Sequence, residues 1–325
     1  MGRHILKIIV ILAVLAYSCK KETSTPSWAA VNSGFPSIDE QGDFTTINTL
    51  AISGNNIFAG TDSGMYLSTN KGNNWTSINS GLLANPINIL SLAISGSNIF
   101  AGTYNGVYLS SNNGKSWTAV NNGFPINQIN SLAISGSSIF AGTNGMGVYM
   151  SSNNGSSWSA ANTGLQGNSL VTVALAANGS NIFDATSNGV YISSNNGNNW
   201  TAINSGFLAN TSLYSLTISG GTIFAGTNTG IYLSSNNGNS WIPMDKGLTD
   251  STSVYAIAVS GTDIFAGAGF NGYGIYFSSN GGSTWKSMNS GFVSNIVVNC
   301  IAYDNTYVYV GTYLNGVYKQ LLSAF

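Results

Sequence analysis

Acid–base or nucleophilic chemistry has few side chains to draw on in this chain of 325 residues. The only His is His4 and the only Arg is Arg3, both within the first few residues. Imidazole-based catalysis and His-ligated metals therefore have nothing to use in the body of the chain. The thiols are Cys19 and Cys300. What is left is carboxylate chemistry, from Glu22, Asp39, Glu40, Asp43, Asp62, Asp184, Asp245, Asp250, Asp263 and Asp304. Two carboxylates at the right separation would suffice to cleave a glycosidic bond. No local motif marks such a pair.

The residues that do recur at fixed spacing belong to a turn. It is written six times, first as Ser68-x-Asn70-x-Gly72-x-x-Trp75. It returns as Ser110, Asn112, Gly114 and Trp117, then as Ser151, Asn153, Gly155 and Trp158. The last three copies are Ser193, Asn195, Gly197 and Trp200; Ser234, Asn236, Gly238 and Trp241; and Ser278, Asn280, Gly282 and Trp285. The tryptophans stand 41 to 44 residues apart. A period of that size means a repeat architecture. The Asn side chain can bond nearby backbone N–H groups and tolerates the left-handed region. The Gly supplies positive φ, and the Trp buries a large ring between sheets.

The elements around the turn follow from one unit. "LSLAIS", "IFAGT", "VYLSS" and "WTAV" are short β-prone runs, separated by the turns "SGSN", "YNG" and "NNGKS". Four antiparallel strands per repeat make a propeller blade. Six blades are complete. A seventh, "VVNCIAYDNTYVYVGTYLNGVYKQL", has three strands, and its missing fourth is found at "SWAAVNSGF", Ser27 to Phe35. The expected fold is all-β: a seven-bladed propeller whose N-terminal strand completes the C-terminal blade, leaving no unpaired seam.

The turn resembles the Asp-box, or BNR repeat, with Asn in the Asp position. That resemblance covers nearly all of the chain beyond the leader and implies a propeller. The family is functionally mixed: sialidases, xyloglucan-active glycosidases, sortilin-type receptors and photosystem II assembly factors. Sialidases hold a substrate carboxylate with an Arg triad, and the assembly factors use an Arg-rich surface; neither has its residues here. Asn in place of Asp also weakens any calcium ligation, since carboxylates carry most of that affinity. No metal and no cofactor are expected.

Aligning the blades predicts the core. Phe58, Phe100, Phe140, Phe183, Phe224 and Phe265 of the second strands fill the space between blades. Small residues of the first strands, Thr49, Ser91, Ser131, Thr172, Ser215, Ala256 and Cys300, form one column, so Cys300 reads as a packed small residue.

Departures from the unit are the candidate sites. Asp184 stands where five blades have Ala. The loops joining second and third strands open on one face, the mouth, opposite the Asn-Gly turns. The loop of blade six, "AGFNGYG", is longest and carries Phe270 and Tyr273; Tyr104 and Tyr313 take equivalent places in blades two and seven. With Asp62, Asn105 and Asp184 they form the candidate ligand-binding set. Aromatics beside amides and carboxylates suit a neutral sugar or an extended peptide. The alternative is that these aromatics simply cap the blade tops.

The N-terminus, "MGRHILKIIVILAVLAYSCKKE", has a basic start, a short apolar run and a small residue before Cys. It reads as a bacterial lipoprotein signal over residues 1–18, with Cys19 lipidated, a tether over 19–27 and the propeller over 28–325. An ordinary signal peptide or a short membrane anchor are the alternatives. The chain is 6% charged, against ~25% for an ordinary globular domain. Its net charge is −1, which gives no footprint for nucleic acid. The sequence thus predicts a non-catalytic, exported, cell-envelope monomer, an outer-membrane lipoprotein held by its lipid. Its partner would be a glycan or a protein. A two-carboxylate glycoside hydrolase is the alternative.

Overall fold

The computed structural model describes residues 27–37, 43–82, 87–125, 127–249 and 251–325. The leader, Cys19 and most of the tether lie outside them, as do Asp39, Glu40 and Asp250.

Seven four-stranded antiparallel sheets form the propeller. In blade one the strands are Ile47–Ser53, Asn56–Thr61, Gly64–Ser68 and Thr76–Ser77, paired in that order. The first strands of successive blades pack on one another all the way round, and the strand at Val298–Tyr303 in blade seven packs on that of blade one. They therefore line the axis. Seven clusters of buried apolar side chains fill the interfaces between blades. The six second-strand phenylalanines are all buried, and Tyr309 takes that position in blade seven.

The ring closes as the sequence predicts. Ala29 and Ala30 pair with Lys319 and Tyr318, so the first strand in the chain is the fourth of blade seven.

The recurring turn is a hydrogen-bonded cradle. In blade two, Gly114 N donates to Ser110 Oγ (2.8 Å), Ser110 Oγ donates to Asn112 Oδ1 (2.9 Å), and Ser116 N donates to the same amide oxygen (3.0 Å). The left-handed residue is the one after the motif Asn rather than that Asn itself: Asn113 has φ 57°, and Gly114 follows at 83°. A Cβ on Gly114 would stand 2.5 Å from the end of the Ile78 side chain of the preceding blade, and the Gly114 φ of 83° strains any residue but Gly.

Each motif Trp latches its blade to the one before. Trp117 Nε1 donates to Ile78 O (2.8 Å) and its backbone N to Ser80 O (2.9 Å). A second column, unremarked in the sequence, completes the latch. Asn32, Asn79, Asn121, Asn162, Asn204, Asp245 and Asn289 follow the fourth strands, and each accepts the N–H of a third-strand residue in its own blade.

One column of the expected core shifts. Thr172 does not align with Thr49 and Ser91. It faces Thr186 across the ladder, the place of Ile47 opposite Thr61, and Ala174 takes the small position. The bulge beside this residue recurs in every first strand, so blade four lines up with the others without a gap, Ala174 before Leu175 as Thr49 stands before Leu50. Cys300 does sit in the small column, against Gly311 and Ile47, and burial pushes its thiol up to about 12.

Candidate functional site

A shared Thr hook builds the loops of the mouth. In blade two, Thr103 Oγ1 donates to Gly106 O and accepts from Asn105 N, both at 2.9 Å. That closes the loop beneath Tyr104 and turns its ring outward, 48% exposed, with Asn105 exposed beside it. Thr312 hooks Gly316 O in the same way at 2.7 Å, and Tyr313 is 54% exposed.

Blade six lacks the hook, because Ala268 stands in the Thr position. Its longer loop is held from beneath. Tyr276 OH donates to Gly272 O (3.0 Å), Thr249 Oγ1 donates to Asn271 O (3.2 Å), and Tyr273 N donates to Gly269 O (2.8 Å). Phe270 is left 61% exposed at the tip. Tyr273 is half-buried at φ 38°, with its carbonyl held by Asn289 Nδ2.

Two aromatics that sequence reasoning missed join this loop. Tyr214 and Tyr255 are the second residues of the first strands of blades five and six. Their rings meet edge to face at 4.8 Å, and Tyr255 meets Phe270 at 6.5 Å. Burial and the neighbouring Tyr214 push the Tyr255 hydroxyl above its ordinary pKa. The signal was present: that column otherwise reads Asn48, Leu90, Asn130, Val173 and Asn299. Three of those amides stitch the inner ring instead, Asn299 Nδ2 to Ile47 O, Asn48 to Ile89 O and Asn130 to Thr172 O.

The two carboxylates of the candidate set are not a pair. Asp62 Oδ1 accepts from the buried Thr45 hydroxyl and from Ser63 Oγ (3.1 Å), which ties it into its own loop. Asp184 has no exposed surface, so it cannot touch a ligand at the mouth, and the expectation that it lines the site is corrected. Thr172 Oγ1 lies 3.3 Å from its Oδ2, and Oδ1 has no partner among the described residues. Burial pushes this carboxyl well above the usual range. Asp304 lies at a first-to-second strand turn on the opposite face, capping Thr306 N and Tyr307 N. Asp263 opens the second strand of blade six beside the equivalent turn.

Residues 14–142 and 169–310 match the family model of the DUF6242 beta propeller domain, and they make up most of the chain. The chain belongs to the DUF6242 beta-propeller family. No curated protein matches it. Among solved structures, this DUF6242 propeller resembles the extracellular domain of the one-component system BT4673 from B. thetaiotaomicron. The TM-score is 0.72 at 14% identity, over 91% of this chain and 40% of that one. It also resembles the GH74 xyloglucanase from Xanthomonas campestris, with TM-score 0.72 at 15% identity, over 92% of this chain and 54% of that one. YCF48 bound to D1 peptide matches with TM-score 0.70 at 15% identity, over 92% of this chain and 99% of that one. The chain thus spans about half or less of the first two. At these identities the likeness shows the fold alone, shared by a xyloglucanase, the extracellular domain of a one-component system and a protein bound to a peptide.

Proposed function

We propose that the DUF6242 propeller is a non-catalytic binding module, tethered to the cell envelope by a lipid on Cys19, whose mouth takes a glycan or a protein partner. The observation that carries this reading is the set of aromatics on one face: Tyr214, Tyr255 and Phe270 in contact, with Tyr313 exposed on the adjoining blade seven and Tyr104 exposed on blade two, further round the mouth. Flat rings with amide neighbours give a ligand apolar area and orienting hydrogen bonds together. The hydrolase alternative needs two reachable carboxylates, and Asp184 is sealed while Asp62 is engaged. The turn, an Asp-box with Asn for Asp on this reading, serves as scaffold.

The experiment is a glycan-array screen of the soluble fragment from Lys20, repeated with Tyr104, Phe270 and Tyr313 changed to Ala. An aromatic anchor is worth ~2 kcal/mol or more when truncated, so binding should fall at least ~30-fold per anchor that contacts ligand. The control is Ser110→Ala with Asn112→Ala on the opposite face, which should lower stability and spare affinity. Loss of binding in a folded control, with the aromatic variant unaffected, would place the site on the wrong face. The tether has its own check: Cys19→Ala should move the protein out of the membrane fraction, and a variant that stays there refutes lipidation.

A further inference from the structure

A cleft of about 380 Å³ opens on the mouth between the second-to-third strand loop of blade four and the connection from blade four to blade five. Its volume falls within the ~300–1,000 Å³ range of small-ligand sites. Two residues before the first strand, Ile87 and Ile296 are buried in their own connections. The equivalent residue here is Thr211, which is smaller, half-exposed, and folded back so that Oγ1 donates to Leu208 O (2.8 Å). Thr45 and Thr252 hold the same place in blades one and six, and Thr252 makes the same bond, to Thr249 O (2.7 Å), but both are buried, whereas Thr211 lines the cleft.

The lining has one chemical character. Phe207 and the buried Leu213 give an apolar wall, and Leu208 stands at the rim, 65% exposed. Phe207 is fixed by stacking on Trp241 at 4.8 Å. The polar groups are the amides of Asn188, Asn204 and Asn210 with the hydroxyls of Ser187 and Thr211. Among the described residues, no ionisable side chain lines the cleft. A charged ligand would shed its hydration and meet no counter-charge. Amides and hydroxyls both donate and accept, which matches the mixed hydroxyls of a sugar. An extended peptide that adds as a strand needs a free edge, and the strand residues here, Gly189 and Leu213, are already paired with Thr186 and Thr227.

We propose that this cleft is a subsite for a neutral saccharide unit. It rests on the reading of the mouth as a binding face and deepens it. Leu213 in its wall precedes Tyr214, so the subsite would lead into the contact run Tyr214, Tyr255, Phe270.

The test titrates the full chain with cellotriose, xylotriose, laminaritriose, maltotriose and chitotriose, watching the side-chain amide NMR signals of Asn188, Asn204 and Asn210. Trigalacturonate and a capped Gly-Ser-Gly peptide are run beside them. At least one neutral trisaccharide should shift those signals. Thr211→Ile, which copies Ile87 and Ile296, should fill the cleft and weaken that binding at least about tenfold with the melting temperature held. Asn188→Ala with Asn210→Ala, both at the rim, serves if the isoleucine variant does not fold. The proposal is overturned if no neutral trisaccharide moves the three amides, or if the charged sugar or the peptide moves them more. It also falls if binding survives the filling substitution. In that last case, loss of binding in the Tyr104, Phe270 and Tyr313 variant would leave the mouth reading standing without this subsite.

Discussion

At the scale of single residues, Asp184 is the sharpest departure from the repeat, and it has a companion. Thr172 replaces an aliphatic residue at the place of Ile47, Ile89, Ile129, Leu213, Val254 and Val298, and its hydroxyl donates to the carboxyl oxygen at 3.3 Å. The pair departs together, as a buried acid and its hydrogen-bonding partner should. The acid's folded pKa is raised. The folded chain therefore holds a proton that the unfolded chain releases once pH passes the ordinary carboxylate value near ~4. The cost is absent in acid, grows as pH rises through the window between the two values, and is complete above the folded value. Asp184→Ala restores the residue of the other blades. It should raise stability at pH ~8 by about 1–3 kcal/mol, the usual cost of a buried polar group left unpaired, and by less at pH ~4. Urea melts at both pH values decide it. A variant less stable than wild type at pH ~8 would mean that the ionised carboxylate has a partner in solution.

At the scale of elements, the strands were legible because each is announced locally. Alternating runs end at Gly/Asn turns, and the period fixes how many strands make a sheet. Even the fourth strands, two residues long, were placed by Trp75 and its equivalents. What escaped was register. The bulge between Ile129 and Ser131, repeated in every blade, makes two residues on one strand face one on its neighbour, and a pattern of types does not mark where such a residue enters. Thr172 is a separate matter: lined up on Leu175, blade four has Ala174 in the small column with no gap, and Thr172 stands two residues earlier. The candidate site was legible only in its loops. Tyr104, Phe270 and Tyr313 stood out because second-to-third strand loops vary against a fixed frame. Tyr214 and Tyr255 sit inside strands, where an aromatic is ordinary composition, and only the ring geometry joins them to Phe270. Asp184 illustrates the reverse: its type suggested chemistry, and its depth removes it from the surface. The cleft at Thr211 is marked by no motif, since Thr45 and Thr252 stand at the same place and are buried.

At the scale of the whole molecule, stability rests on closure. A propeller blade touches only its two neighbours, so the ring holds by a cycle of similar interfaces, and the cycle passes through the N-terminal strand. Trp28 supplies the seventh latch: its N donates to Ser290 O (2.8 Å) and its Nε1 to Met288 O (2.7 Å), while its ring stacks on Phe292 at 4.9 Å. Asn32 Oδ1 accepts from Val317 N (2.7 Å). The same segment serves the next joint, where Trp75 donates through N to Ser33 O and through Nε1 to Val31 O, both at 2.8 Å. Deleting the chain through Phe35 therefore breaks two latches and bares the edge at Val317–Leu321. Losing one buried Trp costs about 3–5 kcal/mol, against a total of about 5–15 for a typical domain. The truncated protein should melt at least about 10 °C lower and self-associate through the bared strand. Trp28→Ala, which keeps the strand, should lose stability without associating. Calorimetry and size-exclusion chromatography separate the two outcomes. A synthetic peptide spanning Ser27 to Phe35, added to the truncated chain, should fill the edge and return it to monomer. Melting at the wild-type temperature after truncation would show that the ring does not close through this strand.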